Sequence, residues 1–251
     1  MDQNGQTLNN TFPDLPPDVY LFALQIAGHK HGEGKSKLGV LKHKNGNILK
    51  PLPQGDVRAS RELSFYENVY RNCDHDSDLS ELVKYLPAFH GTLETKDMTY
   101  LCLEDVCENF QKPSVLDIKI GLVTHDPTAT KEKIRLEKEK YPHAKILGFR
   151  ILGMKVYLDA EKTYISKDKI FGRQLAAEDI ISGLGIFLTE NEQLNCLILS
   201  GFVHKLVLLS QWFSKQRKFA FYSSSLLFVY EGSTSSWTKW IQSNIMNIHS
   251  P

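Results

Sequence analysis

The sequence predicts an α+β fold, and three observations carry that prediction. An Asn-Gly turn joins two short apolar runs. The next apolar residues recur at helical spacing, and two further strand-like runs come before any second helix. Strand, strand, helix, strand, strand is an α+β order, whereas a sheet of βαβ units would alternate strand with helix. With 251 residues, 41% of them hydrophobic, the chain is long enough for one large domain or two tightly packed lobes.

Taken in order, residues 1–17 are rich in Asn, Gln and Pro and read as a disordered N-terminal segment. Glycines punctuate Gly28-His29-Lys30-His31-Gly32-Glu33-Gly34, and a strand is expected over 37–41. The turn Lys44-Asn45-Gly46-Asn47 then returns the chain into a strand over 48–52, because Asn-Gly readily takes the positive φ of a tight hairpin. Leu63, Tyr66 and Tyr70 predict a helix over 61–70. Strands over 89–93 and 100–103 flank the polar turn Thr95-Lys96-Asp97. Further strands are expected at 113–121, 148–152, 155–158 and 224–230, and helices at 128–140, 176–188 and 197–218. In the last helix Phe202, Leu206, Leu209 and Phe213 recur at helical spacing, which predicts a core stripe.

Lysine plus arginine total 30 against 29 acids, a net charge of +1, so nothing draws the whole chain to nucleic acid or a membrane surface. A polyanion site must therefore be local. Cys73, Cys102, Cys107 and Cys196 lack metal-ligand or disulfide-framework spacing, and the nine histidines are scattered, so no metal site is expected. The N-terminus shows no signal-peptide pattern, and the apolar stretches read as shorter than a spanning helix. The expectation is a soluble intracellular protein with no membrane span.

Four groups of residues bear on chemistry. Lys50 closes a hairpin strand and Glu62 sits on the next helix; an ATP kinase needs such a cation on the phosphates, held by a helix carboxylate. Most strand lysines simply point to solvent. Leu103-Glu104-Asp105-Val106 follows an apolar strand and could offer backbone groups to an adenine edge, or be an ordinary strand end. In Pro113-Ser114-Val115-Leu116-Asp117-Ile118-Lys119-Ile120-Gly121, Asp117 and Lys119 leave one face of the strand. They could hold a nucleotide hydroxyl and a transferring phosphoryl group; the alternative is a surface ion pair of little worth. Lys133, Glu137 and Lys140 share a helix face, either as a solvated Glu–Lys array or as a cationic face for a phosphorylated small molecule.

The P-x-x-x-D-x-K-x-G spacing is far more specific than its parts, and with it the chain resembles the inositol polyphosphate kinase family. The signature stands at 113–121 in a D-I-K-I-G form similar to the multikinase branch. In order around it lie Ile26-Ala27-Gly28-His29, Gly46-Asn47-Ile48-Leu49-Lys50 and Arg61-Glu62-Leu63-Ser64-Phe65-Tyr66. Downstream come Leu152-Gly153-Met154-Lys155-Val156-Tyr157, Phe171-Gly172-Arg173 and Ser224-Ser225-Leu226-Leu227-Phe228-Val229-Tyr230-Glu231-Gly232. The resemblance implies a two-lobed fold distantly similar to protein kinases and ATP-grasp enzymes, with an N-terminal lobe over 18–106, a C-terminal lobe over 107–232 and a divergent tail over 233–251. It implies ATP with Mg2+, and inositol trisphosphate or tetrakisphosphate as acceptor. It also implies contact with phosphoinositide lipid headgroups, a monomer, no nucleic acid, and a place in nucleus and cytoplasm. By that resemblance Lys50 contacts ATP phosphates with Glu62 orienting it. Glu104 and Val106 meet adenine, and Asp117 binds ribose. Lys119 bridges phosphoryl and acceptor, and Lys133 and Lys140 grip the inositol phosphate.

Two features depart from the family pattern. Leu136 and Glu137 stand where the multikinase branch usually has glutamines, and an acid there repels phosphate. After Gly232 the sequence runs Ser233-Thr234-Ser235-Ser236-Trp237 instead of reaching the family's I-D-F-A-H strand, whose Asp holds magnesium. Trp237, Trp240, Ile241 and Ile245 have helical spacing that would suit a docking tail, but a loosely held tail is the expectation. The reading is of an ATP-dependent inositol polyphosphate kinase, C-terminally truncated and with its catalytic competence in question. A non-catalytic binding or scaffold form is the alternative.

Overall fold

The structure, a computed structural model, describes residues 15, 18–22, 26, 38–125, 128–190 and 193–233. The first half holds β1 (Val19–Leu21), β2 (Leu41–His43), β3 (Ile48–Leu52), α1 (Val57–Asn72), α2 (Ser77–Val83), β4 (Phe89–Glu94) and β5 (Thr99–Leu103). The second half begins with β6 (Pro113–Ile120), α3 (Lys131–Glu139), α4 (Ala144–Leu147), β7 (Phe149–Leu158) and β8 (Thr163–Lys167). It continues through α5 (Lys169–Gln174), α6 (Ile180–Leu188), β9 (Thr189–Glu190), β10 (Gln193–Leu194) and α7 (Cys196–Lys215) to β11 (Ser225–Glu231). A five-stranded sheet runs β1-β2-β3-β5-β4 and a four-stranded sheet runs β11-β6-β7-β8, all antiparallel. This is the α+β class.

The hairpin forms where Asn-Gly places it. Gly46 takes φ +92, which costs glycine nothing, and the Asn45 carboxamide oxygen accepts from the Asn47 N–H at 3.0 Å. The first strand starts at Leu41, however, and 38–40 are irregular. A strand lasts only as long as its ladder, and β1 and β3 both reach β2 no earlier than Leu41. Asp56 caps α1 through the Arg58 N–H, and the helix buries Ala59 and Tyr66 against Leu52, Leu101 and Leu103 of the sheet. Helix α2 is too short to announce itself by periodicity and rests on its Asp76 cap.

In the second sheet Leu116 and Ile118 of β6 pack with Ile151, Met154 and Val156 of β7 beneath Ile180 and Phe187 of α6. Strand β7 is a single ten-residue strand, not the two expected. Gly153 lies inside it because a Cβ there would stand 2.6 Å from the Ile26 carbonyl oxygen: the glycine admits a second backbone. Gly148 instead ends α4 in the left-handed conformation, φ +73. The helix expected over 176–188 begins only at Ile180, after a turn.

Helix α7 corrects two expectations. Leu209 and Trp212 are buried with Val69, Leu79 and Leu82, and the Trp212 indole N–H donates to the Asp78 carbonyl at 2.9 Å. The core stripe thus runs through Leu209 and Trp212, while Leu206 is exposed. At 20 residues α7 is also long and apolar enough to cross a membrane by length and composition, and its buried residues, Leu209 and Trp212, pack with α1 and α2.

Candidate active site

Lys50 projects from β3 toward α1 and meets both oxygens of Glu62, at 2.5 and 2.7 Å. Both side chains stay partly exposed, so the ammonium is held in place yet open to an anion. A bidentate partner on a helix is what separates this lysine from an ordinary strand lysine.

The segment after β5 is fixed from several directions. The Glu104 N–H donates to the Ala88 carbonyl at 2.9 Å, and its carboxylate accepts from the Ala88 N–H at 3.0 Å. Asp105 is buried and bonds Lys42 of β2 at 2.6 Å, while its other oxygen accepts from the Cys107 N–H at 2.9 Å. Lys42 also bonds Glu108 and the Gly46 carbonyl. Burial opposes the charge on Lys42, yet the Asp105 and Glu108 bonds raise its pKa overall. Sequence reasoning missed this clamp; the only signal was a lysine between Leu41 and His43 in a short strand.

Strand β6 carries Asp117 and Lys119 on one face, as their alternation requires. Asp117 is mostly buried; its pKa is raised by burial, against a Ser225 hydrogen bond and the Lys119 charge, and its Oδ1 has no partner among the described residues. Lys119 lies opposite Arg150 of β7 in the ladder. Burial lowers its pKa, and Arg150 and Lys140 add to the effect against Glu137 and Asp117.

Beside Lys119 opens a small pocket whose walls include Glu137 and Lys138 of α3, Tyr141, Lys145 of α4 and Arg150. Thr130 caps α3 by accepting from the Lys133 N–H at 3.2 Å. Along that helix Glu137 turns inward and pairs with Lys140, whereas Leu136 is exposed. On the outer side Arg135 bridges Glu132 at 2.7 Å and Glu139 at 2.6 Å, a solvated array. Lys133 is exposed and does not line the pocket.

The structure therefore gathers Lys50 with Glu62, and separately Lys119 with Glu137, Lys140 and Arg150. Among the described residues no hydrogen bond or ion pair joins the two groups. Arg150 and Tyr141 were not singled out from sequence. Arg150 did leave a signal, since Phe149-Arg150-Ile151-Leu152 sets one charge in an apolar strand. The Tyr-Glu-Gly end of β11 is structural: the Glu231 carboxylate accepts from Gln111 N–H at 2.7 Å and Lys112 N–H at 3.0 Å, tying down the lead-in to β6. Residues 234–251, with their four tail apolars, lie outside the described residues.

Comparison with known proteins gives the chain's relatives. A family model described as inositol polyphosphate kinase matches residues 100–246. Human inositol polyphosphate multikinase is 41% identical over 217 residues, covering 85% of this chain and 51% of that protein. Multikinase beta of Arabidopsis thaliana is 32% identical over 231 residues, covering 82% of this chain and 74% of that protein. The crystal structure of Saccharomyces cerevisiae inositol phosphate multikinase Ipk2 in complex with ADP and Mn2+ superposes with a TM-score of 0.63 at 27% identity, covering 78% of this chain and 79% of that one. The chain spans about half the length of the mammalian multikinases it matches. By fold, ordered motifs and these similarities, the chain belongs to the inositol polyphosphate kinase family.

Proposed function

We propose that this chain is an ATP-dependent kinase that phosphorylates hydroxyls of inositol polyphosphates, with inositol trisphosphate and tetrakisphosphate as acceptors. The observation that carries the reading is Lys119. It is half-buried on the signature strand and borders a pocket walled by Lys138, Lys145 and Arg150. So many cations around one recess suit a multiply charged anion.

In this reading the two sheets belong to an N-terminal lobe over 18–106 and a C-terminal lobe over 107–232, with ATP between them. Lys50, steadied by Glu62, neutralises nucleotide phosphates. Glu104 offers its carbonyl and Val106 its N–H to the adenine edge, and the Lys42–Asp105 pair keeps that segment in place. Asp117 takes the ribose hydroxyls. Lys119 stabilises charge on the phosphoryl group in flight, while Lys140 and Lys133 attract the acceptor. The acceptor oxygen bonds to the γ-phosphorus as the bond to the bridging oxygen breaks, ADP leaves with that electron pair, and the hydroxyl proton passes to solvent.

The ADP and Mn2+ of the yeast structure support a nucleotide with a divalent cation, proposed here as Mg2+. Among the described residues no three His, Cys, Asp or Glu side chains cluster to hold a metal. The cation would then be carried mainly by the nucleotide phosphates and water. Such a cation would supply charge neutralisation at the transferring phosphates. We further propose a monomer in nucleus and cytoplasm that also accepts phosphoinositide headgroups.

The test is transfer of radiolabel from ATP to inositol trisphosphate with Mg2+, with Lys119→Ala alongside. Transfer that this substitution reduces by at least about a hundredfold supports the reading. A folded chain that binds ATP and inositol trisphosphate without transfer favours the scaffold form instead.

A further inference from the structure

A second cavity, of about 290 Å³, shares no lining residue with the Lys119 pocket and touches neither Lys50 nor Glu62. It opens between the end of β7 with its turn into β8, the end of α6 and the end of β11. Leu158, Ile165, Ile186 and Leu188 give it apolar walls, while Tyr230, Asn195 and two acids add polar groups. A recess of this volume is at the low end for a small-molecule site and is of a size for one large side chain. The mixed lining suits an amphipathic ring such as indole, whose single polar atom is a donor.

The chain leaves β11 beside this cavity, and it leaves from a fixed point. Gly232, which lines the cavity, donates its N–H to the Lys112 carbonyl at 2.8 Å, and a Cβ there would stand 2.7 Å from Cβ of Tyr157. The Ser233 N–H donates to the Glu231 carboxylate at 2.9 Å, and Ser233 is itself buried. Residues 234–251 continue from that anchor, and Trp237 is their first large apolar side chain. It stands five residues from Gly232, a reach of at most about 17 Å. So short a tether sets an effective concentration on the order of millimolar. Charge agrees as well. Lys239 is the only Lys, Arg, Asp or Glu within 234–251, and the acids lining the cavity are Asp159, which pairs with Lys162 at 2.8 Å, and the exposed Glu161.

We infer that the tail docks in cis, with the indole of Trp237 seated in this cavity and Lys239 beside Glu161, in place of the loosely held tail its sequence suggests. The inference does not depend on the kinase reading. Trp240 and Ile241 follow Trp237 at i+3 and i+4, so a helical turn that seats the first ring turns the other two toward the same surface. A second copy of the chain has the same side chains to offer, but it gives up its translational and rotational freedom to bring them. The tethered tail has already given up most of that freedom, because Gly232 and Ser233 are fixed at the cavity.

The experiment labels the full chain with fluorotryptophan and follows its three tryptophan resonances by fluorine NMR, assigned with Trp237→Phe and Trp240→Phe. The shift between light and heavy water reads the exposure of each ring. Trp212, buried in α7, is the shielded reference. Trp237 is expected to show as small a solvent-isotope shift as Trp212, unchanged on dilution of the chain. Ala160 lines the cavity at an exposed position, and Ala160→Phe is expected to give Trp237 the isotope shift of free tryptophan. Trp212 should stay unmoved and melting cooperative in that variant. Glu161→Lys, on the exposed rim, is expected to expose Trp237 in part. A wild-type Trp237 that shifts as free tryptophan does overturns the inference. A shielded Trp237 that both variants leave unmoved docks elsewhere and overturns it too. Shielding that fades on dilution belongs to a second copy, which overturns docking in cis.

Discussion

Lys119 and Asp117 are each held against their own solvation. For Lys119 burial lowers the pKa from the ordinary 10.5. The unfolded chain therefore binds this proton more tightly, and the charged form destabilises the fold at neutral pH; the penalty is relieved as pH rises through the folded pKa. Lys119→Met should abolish transfer yet raise the melting temperature at pH 7, by about 2–4 °C for each ~1 kcal/mol recovered in a chain of this size. The gain should shrink as pH approaches 10.5, readable by melting curves across pH. If transfer needs the ammonium, its alkaline limb begins below the range of an ordinary lysine. Asp117 has the mirror sign: burial raises its pKa above 3.8, so its cost is absent below 3.8, grows as pH rises from there to the folded value and is complete above it. Asp117→Asn should stabilise the chain at pH 7 and be neutral at pH 3, in the same measurement. The alternation of Asp117 and Lys119 on one strand face was legible in the sequence. Their burial was not, because it depends on β7 and β11 closing on either side.

At the scale of elements, one close approach shapes the side proposed for the acceptor. A Cβ at Gly172 of α5 would fall 2.0 Å from the Ile151 carbonyl oxygen of β7, so α5 reaches the sheet only as glycine. This approach brings Arg173 within electrostatic range of Arg150. Gly172→Ala should cost about 1–3 kcal/mol or more, as overpacking does, and weaken acceptor binding with it; urea denaturation checks the first and calorimetry the second. The cap of α3 makes a milder case: Thr130→Ala should cost about 1 kcal/mol and loosen the helix that aims Glu137 inward. The hairpin, α1 and the signature strand were readable from local chemistry. The continuity of β7 was not, since Gly153 resembles a turn until Ile26 is seen against it. The inward turn of Glu137 and outward turn of Leu136 likewise depend on what α3 packs against, which periodicity cannot supply in a helix this charged.

Across the whole molecule, the two sheets are joined less by the 104–112 segment than by helices. Val69 of α1 and Leu79 and Leu82 of α2 bury against Leu209 and Trp212 of α7, and Phe65 packs edge-on with Phe219 and Phe221 at 5.4 and 5.9 Å. No sequence period links residues so far apart, so this joint was invisible beforehand, while the ordered motifs of the family were visible from the start. We propose a division of labour across that joint: the Lys50–Glu62 pair serves the nucleotide and the Lys119 pocket serves the acceptor. The most direct measurement is a crossed titration of an ATP analogue and inositol trisphosphate against wild-type, Lys50→Met and Lys119→Met chains. Lys50→Met should weaken the nucleotide by about tenfold or more and spare trisphosphate, and Lys119→Met should do the reverse. Equal losses of both ligands in both variants, or no loss in either, would contradict it.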